Sequence, residues 1–295
     1  MRVRLLGTRG SLFSPRPGSS RYGGNTACVE VRPAEGGLVV LDAGSGTRVV
    51  RLPEGIERVD VLLTHLHMDH IVGLGFFAAL YRPDLEVHLW GPPSTTETLH
   101  ERLTRYLSPP LFPVRLRDMP CRLELHDTPR GRFELPGVSV QADRICHPGL
   151  TVGYRLEADG SSLAYLPDHE PALGVPPGRF PREPEWTSGF ALLAGVDLAI
   201  HDAQYTDEEY VSRQGWGHCT LSHALALAAA AGVRHLVPFH HDPDHDDDLL
   251  DEIYAAAVVP PAADGTPLRI TPAVEGAEFL LSGPVVPAAP APSVR

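Results

Sequence analysis

Within six positions the stretch THLHMDH carries His65, His67, Asp69 and His70. Imidazole and carboxylate are the side chains that hold a divalent cation where thiolate is absent. His65 and His67 are two residues apart in extended backbone, so both can turn toward one ion. Asp69 and His70 fall on the bend that follows and can face a second ion. The competing explanation is a polar loop with accidental histidines, in a chain that has 15 of them.

A metal site also needs rigid, convergent delivery of its ligands. Val59–Thr64 is apolar and β-branched, which predicts a buried strand ending at the histidines. Further strands are predicted at Val3–Leu6, Ala27–Val31, Leu38–Leu41, Glu86–Trp90, Arg122–Leu125, Arg132–Leu135 and Val138–Ala142. A hairpin pairs Thr151–Glu157 with Ser162–Leu166 across Asp159-Gly160, and Val196–Ile200 and His235–Phe239 complete the strands. Helices are predicted over Ile71–Leu80, Thr95–Leu107, Leu221–Ala231 and Leu249–Val258. Strands followed by helices, twice over, fit two packed sheets flanked by helices. Residues 171–186 are proline-rich and predict a surface loop. One domain is expected over residues 1–282, and 283–295, GPVVPAAPAPSVR, has the composition of a disordered tail.

The 295 residues include 37 acidic and 25 basic side chains, a formal charge of −12. None of the basic side chains is lysine. A surface built mainly to grip nucleic acid is therefore not expected, because phosphate affinity comes from clustered basic groups. A small phosphorylated substrate remains compatible. The four cysteines form no CxxC pair, so neither a disulfide framework nor a zinc ribbon follows. MRVRLLGTRGS has no apolar h-region, so no signal peptide is expected, and the longest apolar stretch falls far short of the ~20 residues of a membrane span. A soluble cytoplasmic protein is expected, with no membrane partner.

THLHMDH resembles the signature of the metallo-β-lactamase-fold hydrolases. That resemblance implies an α/β fold, a four-layer αββα sandwich binding one or two metals at its sheet edges. It further implies a lone histidine, a bridging aspartate and a final histidine, each after a strand. His147 in DRICHPG, Asp168 in LAYLPDHE and His240 in HLVPFHHDP fill those places in order, with His241 as the fallback for His240. The implied ligands are His65, His67 and His147 for one ion and Asp69, His70 and His240 for the other, with Asp168 bridging. Two divalent ions are expected, zinc first, with manganese or iron as alternatives. Asp42 in LDAGSG resembles the superfamily's buried aspartate, which orients the histidine loop.

Three segments narrow the branch. VDLAIHDAQYTDEEY, GWGHCTLSHALALAAAAG and VRHLVPFHHDP resemble the C-terminal half of the transfer-RNA 3′-processing endonuclease and its phosphodiesterase relatives. In those proteins a strand ends in an acid, here Asp202, and a Gly-His-Ser-Thr turn opens a helix, here Gly217-His218-Cys219-Thr220 with cysteine for serine. Cleaving a phosphodiester needs a nucleophile, stabilisation of phosphoryl charge, and a proton for the departing oxygen. A hydroxide bridging two ions supplies the first two, and His218, kept cationic by Asp202, the third. The competing explanation places His218 as decoration at a helix start capped by Thr220. The expected catalytic residues are His218, Asp202 and Asp69.

GTRGS and RYGGNTAC resemble phosphodiesterase-like hydrolases of the same superfamily, which would put Arg9, Ser11, Tyr22 and Asn25 on loops near the pocket. Plain glycine turns explain them equally well. The acidic run DPDHDDDLLDE suits a helix N-terminus better than a third metal site. Endonucleases of the branch carry a basic, glycine-rich arm. LTRYLSPPLFPVRLRDMP has arginines but little glycine and no lysine. The expected function is thus a phosphodiesterase acting on a small or short phosphodiester, a cyclic nucleotide or an oligonucleotide end. RNA 3′ processing and ester or lactone hydrolysis are the alternatives, the latter having no need of Asp202 and His218. A non-catalytic metal-binding domain is disfavoured by the full ligand set. The sequence does not fix an oligomeric state, and a homodimer is compatible with it.

Overall fold

The computed structural model describes residues 1–173, 175, 184–261, 265 and 267–282. The tail 283–295 and most of the proline-rich stretch lie outside the described residues.

The first half of the chain supplies β1 (Arg2–Gly7), β2 (Cys28–Arg32), β3 (Leu38–Leu41), β4 (Arg58–Leu62), β5 (Glu86–Gly91) and β6 (Arg122–Asp127). The second half supplies β7 (Gly131–Leu135), β8 (Val138–Ile145), β9 (Thr151–Ala158), β10 (Ser161–Leu166), β11 (Leu198–Asp202), β12 (His235–Phe239) and β13 (Arg269–Ile270). Last in the chain, β14 (Glu278–Leu280) returns to the first sheet and pairs with β1. The two sheets run β14-β1-β2-β3-β4-β5-β6 and β13-β12-β11-β10-β9-β8-β7. Each has antiparallel ladders on one side, up to β3 or β10, and parallel ladders beyond. The halves therefore repeat one architecture, as the order of predicted elements anticipates.

Between the sheets lies an apolar layer that includes Val3, Val29, Leu62, Tyr154, Leu156 and Ile200. On the outer face of the first sheet, Val61, Val87 and Leu89 pack under α1 (Met68–Ile71) and α2 (Leu99–Thr104). On the outer face of the second, Ala164, Ala199 and Leu236 pack under α3 (Phe190–Leu193) and α5 (Leu221–Ala230). The capped helices α4 (Asp207–Arg213) and α6 (Asp247–Ala255) complete this layer. The result is the expected four-layer sandwich. Among the described residues no helix is long and apolar enough to cross a membrane.

Two expectations need correction. The helix predicted over Ile71–Leu80 is instead the end of α1 followed by two 3-10 turns, Leu74–Phe76 and Ala78–Tyr81. The cause is close packing. Gly73 donates its N–H to Ala43 O at 2.9 Å rather than up a helix, and a Cβ there would sit 2.0 Å from Gly44 O. The helix predicted over Thr95–Leu107 is confined to Leu99–Thr104, opened by a Thr98–Glu101 capping box.

The topology decides where chemistry can happen. β3 and β4 are parallel in the first sheet and β10, β11 and β12 in the second. Because His65 after β4 meets Asp168 after β10, both sets of C-terminal ends share one edge of the sandwich. In open α/β sheets that carboxyl edge is where ligands bind. Asp42, His65, Asp168, Asp202 and His240 all lie at or just past the ends of these strands.

Candidate metal centre

β4 ends at Leu62, and Leu63–Leu66 carry the chain over the sheet edge into α1, whose N-cap is His67. That single turn aims Asp69 and His70 inward, and both are buried. His65 is also buried, whereas His67 faces solvent. The second sheet answers from across the edge. His147 follows β8, Asp168 follows β10, and His240 follows β12.

Two four-residue groups result. In each of them, His65, His67, His147 and Asp168, and Asp69, His70, Asp168 and His240, the ligand atoms all lie within 4.8 Å of one another. Asp168 belongs to both, and its two oxygens are divided between them. Oδ2 lies 3.7 Å from His65 Nε2 and 3.7 Å from His147 Nε2. Oδ1 lies 2.9 Å from His70 Nε2 and 3.2 Å from His240 Nε2. Asp69 Oδ2 closes the second group, 3.2 Å from His70 Nε2 and 3.3 Å from His240 Nε2.

Fit to a cation is visible in what these atoms lack. His65 Nε2 is buried without a hydrogen-bond partner, and His70 Nε2 and Asp168 Oδ1, though 2.9 Å apart, are not aligned to bond each other. Buried polar atoms are ordinarily satisfied, because leaving one unpaired costs about 1–3 kcal/mol. Lone pairs converging in a water-poor pocket are what a divalent ion requires. Burial would lower His70, but Asp168, Asp69 and Asp42 outweigh it and raise it well above the ordinary imidazole range, so an ion there would displace a proton. His65 and Asp168 are already in the form that binds an ion. Burial, then the neighbouring His70, hold His65 well below the ordinary imidazole range. Burial would raise Asp168, but His240, His70 and His65 outweigh it and hold the carboxyl ionised.

The model of the β-lactamase superfamily domain matches residues 38–241. The chain belongs to the β-lactamase superfamily. It is 29% identical over 316 residues to a ribonuclease Z of Gemmatimonas aurantiaca, covering 91% of this chain and 95% of that protein. Among solved structures it resembles a diphosphatase of the PhnP family, with TM-score 0.65, 21% identity, and 95% and 98% of the two chains covered. The short form of human tRNase Z superposes with TM-score 0.64 at 19% identity, over 97% and 100% of the two chains.

In this superfamily member the His/Asp cluster is a site for divalent metal, and outer residues hold it in shape. Asp42, fully buried, accepts from Thr64 N at 2.7 Å and from His70 Nδ1–H at 2.8 Å. A bond at Nδ1 leaves Nε2 of His70 as the free lone pair. Tyr165 donates to the same carboxylate at 3.0 Å. Gln204 Oε1 accepts from His240 Nδ1 at 2.8 Å, and Gly217 O from His147 Nδ1 at 2.8 Å.

His240 has φ 64°, a left-handed conformation that non-glycine residues seldom adopt. That twist turns His240 into the site and its neighbour away. His241 is bound instead to Ala273 O at 2.8 Å and to the Tyr254 hydroxyl at 3.3 Å.

Asp202 and His218 meet beside the cluster. His218 Nδ1 lies 2.7 Å from Asp202 Oδ2, and His218 Nε2 lies 3.9 Å from Asp168 Oδ2. Burial opposes a charge on this imidazole, but Asp202 outweighs it and pushes the pKa up to about 9. Thr220 does cap α5, accepting from His223 N at 3.1 Å, so the cap and the Asp202 pair coexist.

The N-terminal loop reaches the site at Gly10, where a Cβ would lie 2.3 Å from His240 Nδ1, and at Ser11. Ser11 N donates to Asp69 Oδ2 at 2.8 Å. Arg9 is a buried strut bonded to the carbonyls of Gly23, Asp242 and His245. Tyr22 bonds Asp251, and Asn25 bonds Glu275, both away from the cluster. His169 lies behind the site, its Nδ1 2.9 Å from His201 Nε2.

Two residues escape sequence reading. Glu170, fully enclosed, accepts from Tyr210 OH and Gly215 N with Oε1, and from Gly217 N with Oε2. It thereby fixes the loop that carries His218 and the His147 acceptor. No Cβ is tolerated at Gly217, where it would lie 2.2 Å from His147 Nδ1. Gln204 is the other, and its place in HDAQY gives no hint of contact with His240. The acidic run after His241 behaves as anticipated: Asp246 caps α6, accepting from Leu249 N at 2.9 Å.

Proposed function

We propose that this chain, as one domain over residues 1–282, is a dinuclear metal-dependent phosphodiesterase acting on a small or short phosphodiester. One ion would be held by His65, His67 and His147, the other by Asp69, His70 and His240, with Asp168 shared. Zinc suits this all-imidazole and carboxylate set, in a cytoplasmic protein. Bound there, such ions supply Lewis acidity toward a phosphoryl oxygen and a water ionised at neutral pH.

The observation that carries the phosphodiester reading is the Asp202–His218 pair. Its Nε2 points at the cluster from 3.9 Å beyond Asp168 Oδ2. A departing alkoxide needs a proton, and His218 Nε2–H stands where it can give one. Asp202 holds the ring in that tautomer through Nδ1 and balances the imidazolium. Asp69, tethered by Ser11 N, closes the opposite wall. Ester or lactone hydrolysis has no need of this pair. The ribonuclease Z of Gemmatimonas aurantiaca supports the same bond type and favours RNA 3′-end processing as the second reading. The chain's charge of −12 favours the shorter substrate.

The test uses two diesters, one with a p-nitrophenolate leaving group and one with a nucleoside leaving group. His218→Ala is expected to lower turnover of the nucleoside diester by ~10²–10⁴. The loss is expected to be far smaller on the activated diester, with metal content unchanged. Equal losses on both substrates would overturn His218 as the proton donor.

A further inference from the structure

A cleft of about 630 Å³ runs from the metal centre along the surface of the first sheet's helical layer. Its inner end is His65 and His67. Its outer walls include Arg102, Arg105 and Arg144. No carboxylate is among its described lining residues, in a chain with 37 acidic side chains against 25 basic ones. An arginine that faces no lining carboxylate favours an anion there, and low-dielectric walls concentrate its field.

The three arginines differ in how free they are. Arg102 is committed, its Nη2 donating to Pro92 O at 2.7 Å and lying 3.7 Å from Asp127. Arg105 is paired with Glu97. Arg144 is exposed, and its guanidinium has no hydrogen bond or ion pair among the described residues. Its position is nonetheless fixed, because it lies on β8 and pairs with Val152 of β9. Val152 N in turn donates to Thr64 O at 2.9 Å, immediately before His65. Arg144 also precedes His147 by three residues, so their Cα atoms are at most about 11 Å apart.

We infer that Arg144 holds a second phosphate, and that the substrate is a linear oligonucleotide end rather than a cyclic mononucleotide. A cyclic mononucleotide has a single phosphate, which the metal centre would already occupy. The next phosphate of a linear strand falls in the cleft, where a planar, permanently charged guanidinium can meet two of its oxygens. Between the arginines and the histidines the walls are apolar, with Leu66, Ile71, Pro93, Tyr106 and Leu150. Such walls suit a sugar and a base face without reading sequence. At about 630 Å³ the cleft has room for a strand end of a few nucleotides and not for a folded RNA.

This inference rests on the phosphodiesterase reading only for its activity arm, and binding is measured separately. The substrates are a dinucleotide with one phosphodiester and the same dinucleotide bearing an additional 5′- or 3′-terminal phosphate. Metal-loaded wild type is expected to show a lower KM on whichever phosphorylated form places its phosphate toward β8. Arg144→Ala is expected to raise that KM by about tenfold, keep kcat, and leave the unphosphorylated dinucleotide unchanged. In parallel, binding of a fluorescent single-stranded pentanucleotide to the full chain is followed against salt. Arg144→Ala is expected to reduce the log–log salt slope by about 0.7, the share of one single-strand phosphate contact. Arg144→Lys, which keeps the charge, is expected to restore most of that slope. Diester cleavage with an unchanged KM and salt slope in Arg144→Ala would overturn the second phosphate site and leave the phosphodiesterase reading intact. Arg144-dependent binding without cleavage of any diester would do the reverse.

Discussion

Replacing Asp42 by asparagine isolates the carboxylate that orients the histidine loop. Asp42 is fully buried and sits at φ 57°, a conformation asparagine also tolerates, so the backbone need not move. Oδ1 accepts from Thr64 N at 2.7 Å, while Oδ2 accepts from Thr64 Oγ1 at 2.9 Å, His70 Nδ1 at 2.8 Å and Tyr165 OH at 3.0 Å. An amide has one accepting oxygen and one NH2. The two hydroxyls can rotate away from an NH2, but Thr64 N–H and His70 Nδ1–H cannot, and the amide can satisfy only one of them. If His70 loses, its proton moves to Nε2, the atom facing Asp69 and Asp168, and the lone pair there is gone. A buried donor left unsatisfied costs about 1–3 kcal/mol. Loss of a ligand's supporting partner typically costs 10–100-fold in metal affinity, or about 1.4–2.7 kcal/mol. Competition against a chromophoric chelator reads the affinity, and urea unfolding of metal-free protein reads the stability. The expectation is a 10–100-fold weaker ion at the Asp69, His70 and His240 group. Wild-type affinity together with an unchanged unfolding midpoint would refute the orienting role of Asp42.

His240→Ala is expected to remove most metal from one of the two positions. His241→Ala, which loses only contacts to Ala273 O and Tyr254, is expected to leave occupancy intact; atomic absorption of the purified variants checks both. Glu170→Gln sets an NH2 against Gly215 N–H or Gly217 N–H. It is expected to cost about 1–3 kcal/mol in urea unfolding and to lower turnover with metal content retained; an unchanged urea midpoint would contradict this. Burial, then Arg269, hold the pKa of His235 down to about 4, so below pH 6.5 the unfolded chain binds a proton that the native state refuses. Stability from this residue is therefore complete above pH 6.5 and lost as pH falls toward 4. His235→Asn is expected to lose about 2–3 kcal/mol less than wild type between pH 7 and pH 4.5; equal losses in both would contradict it.

What the sequence revealed follows from how local each signal is. The strand entering THLHMDH, the Asp159-Gly160 hairpin and the His235–Phe239 strand are written in adjacent residues, and all appear in place. The meeting of His147, Asp168 and His240 with the first histidines is not local at all. It was legible only because a family resemblance ordered them. α4 was missed although Thr206 and Glu209 form a capping box that its sequence announces. The helix expected over Ile71–Leu80 failed for a reason no window contains, the approach of Gly73 to the backbone at Ala43 and Gly44. Glu170 and Gln204 were illegible for the same reason: their partners lie 36 to 47 residues away.

The proposed centre has Asp168 shared by two ions. A crystal structure of the metal-loaded chain, with anomalous difference maps recorded at the absorption edge of the bound metal, tests it most directly. Two peaks about 3.5–4 Å apart are expected, one among His65, His67 and His147 and the other among Asp69, His70 and His240, with one oxygen of Asp168 toward each. A single peak, or two peaks with Asp168 bound to neither or only one, would contradict it.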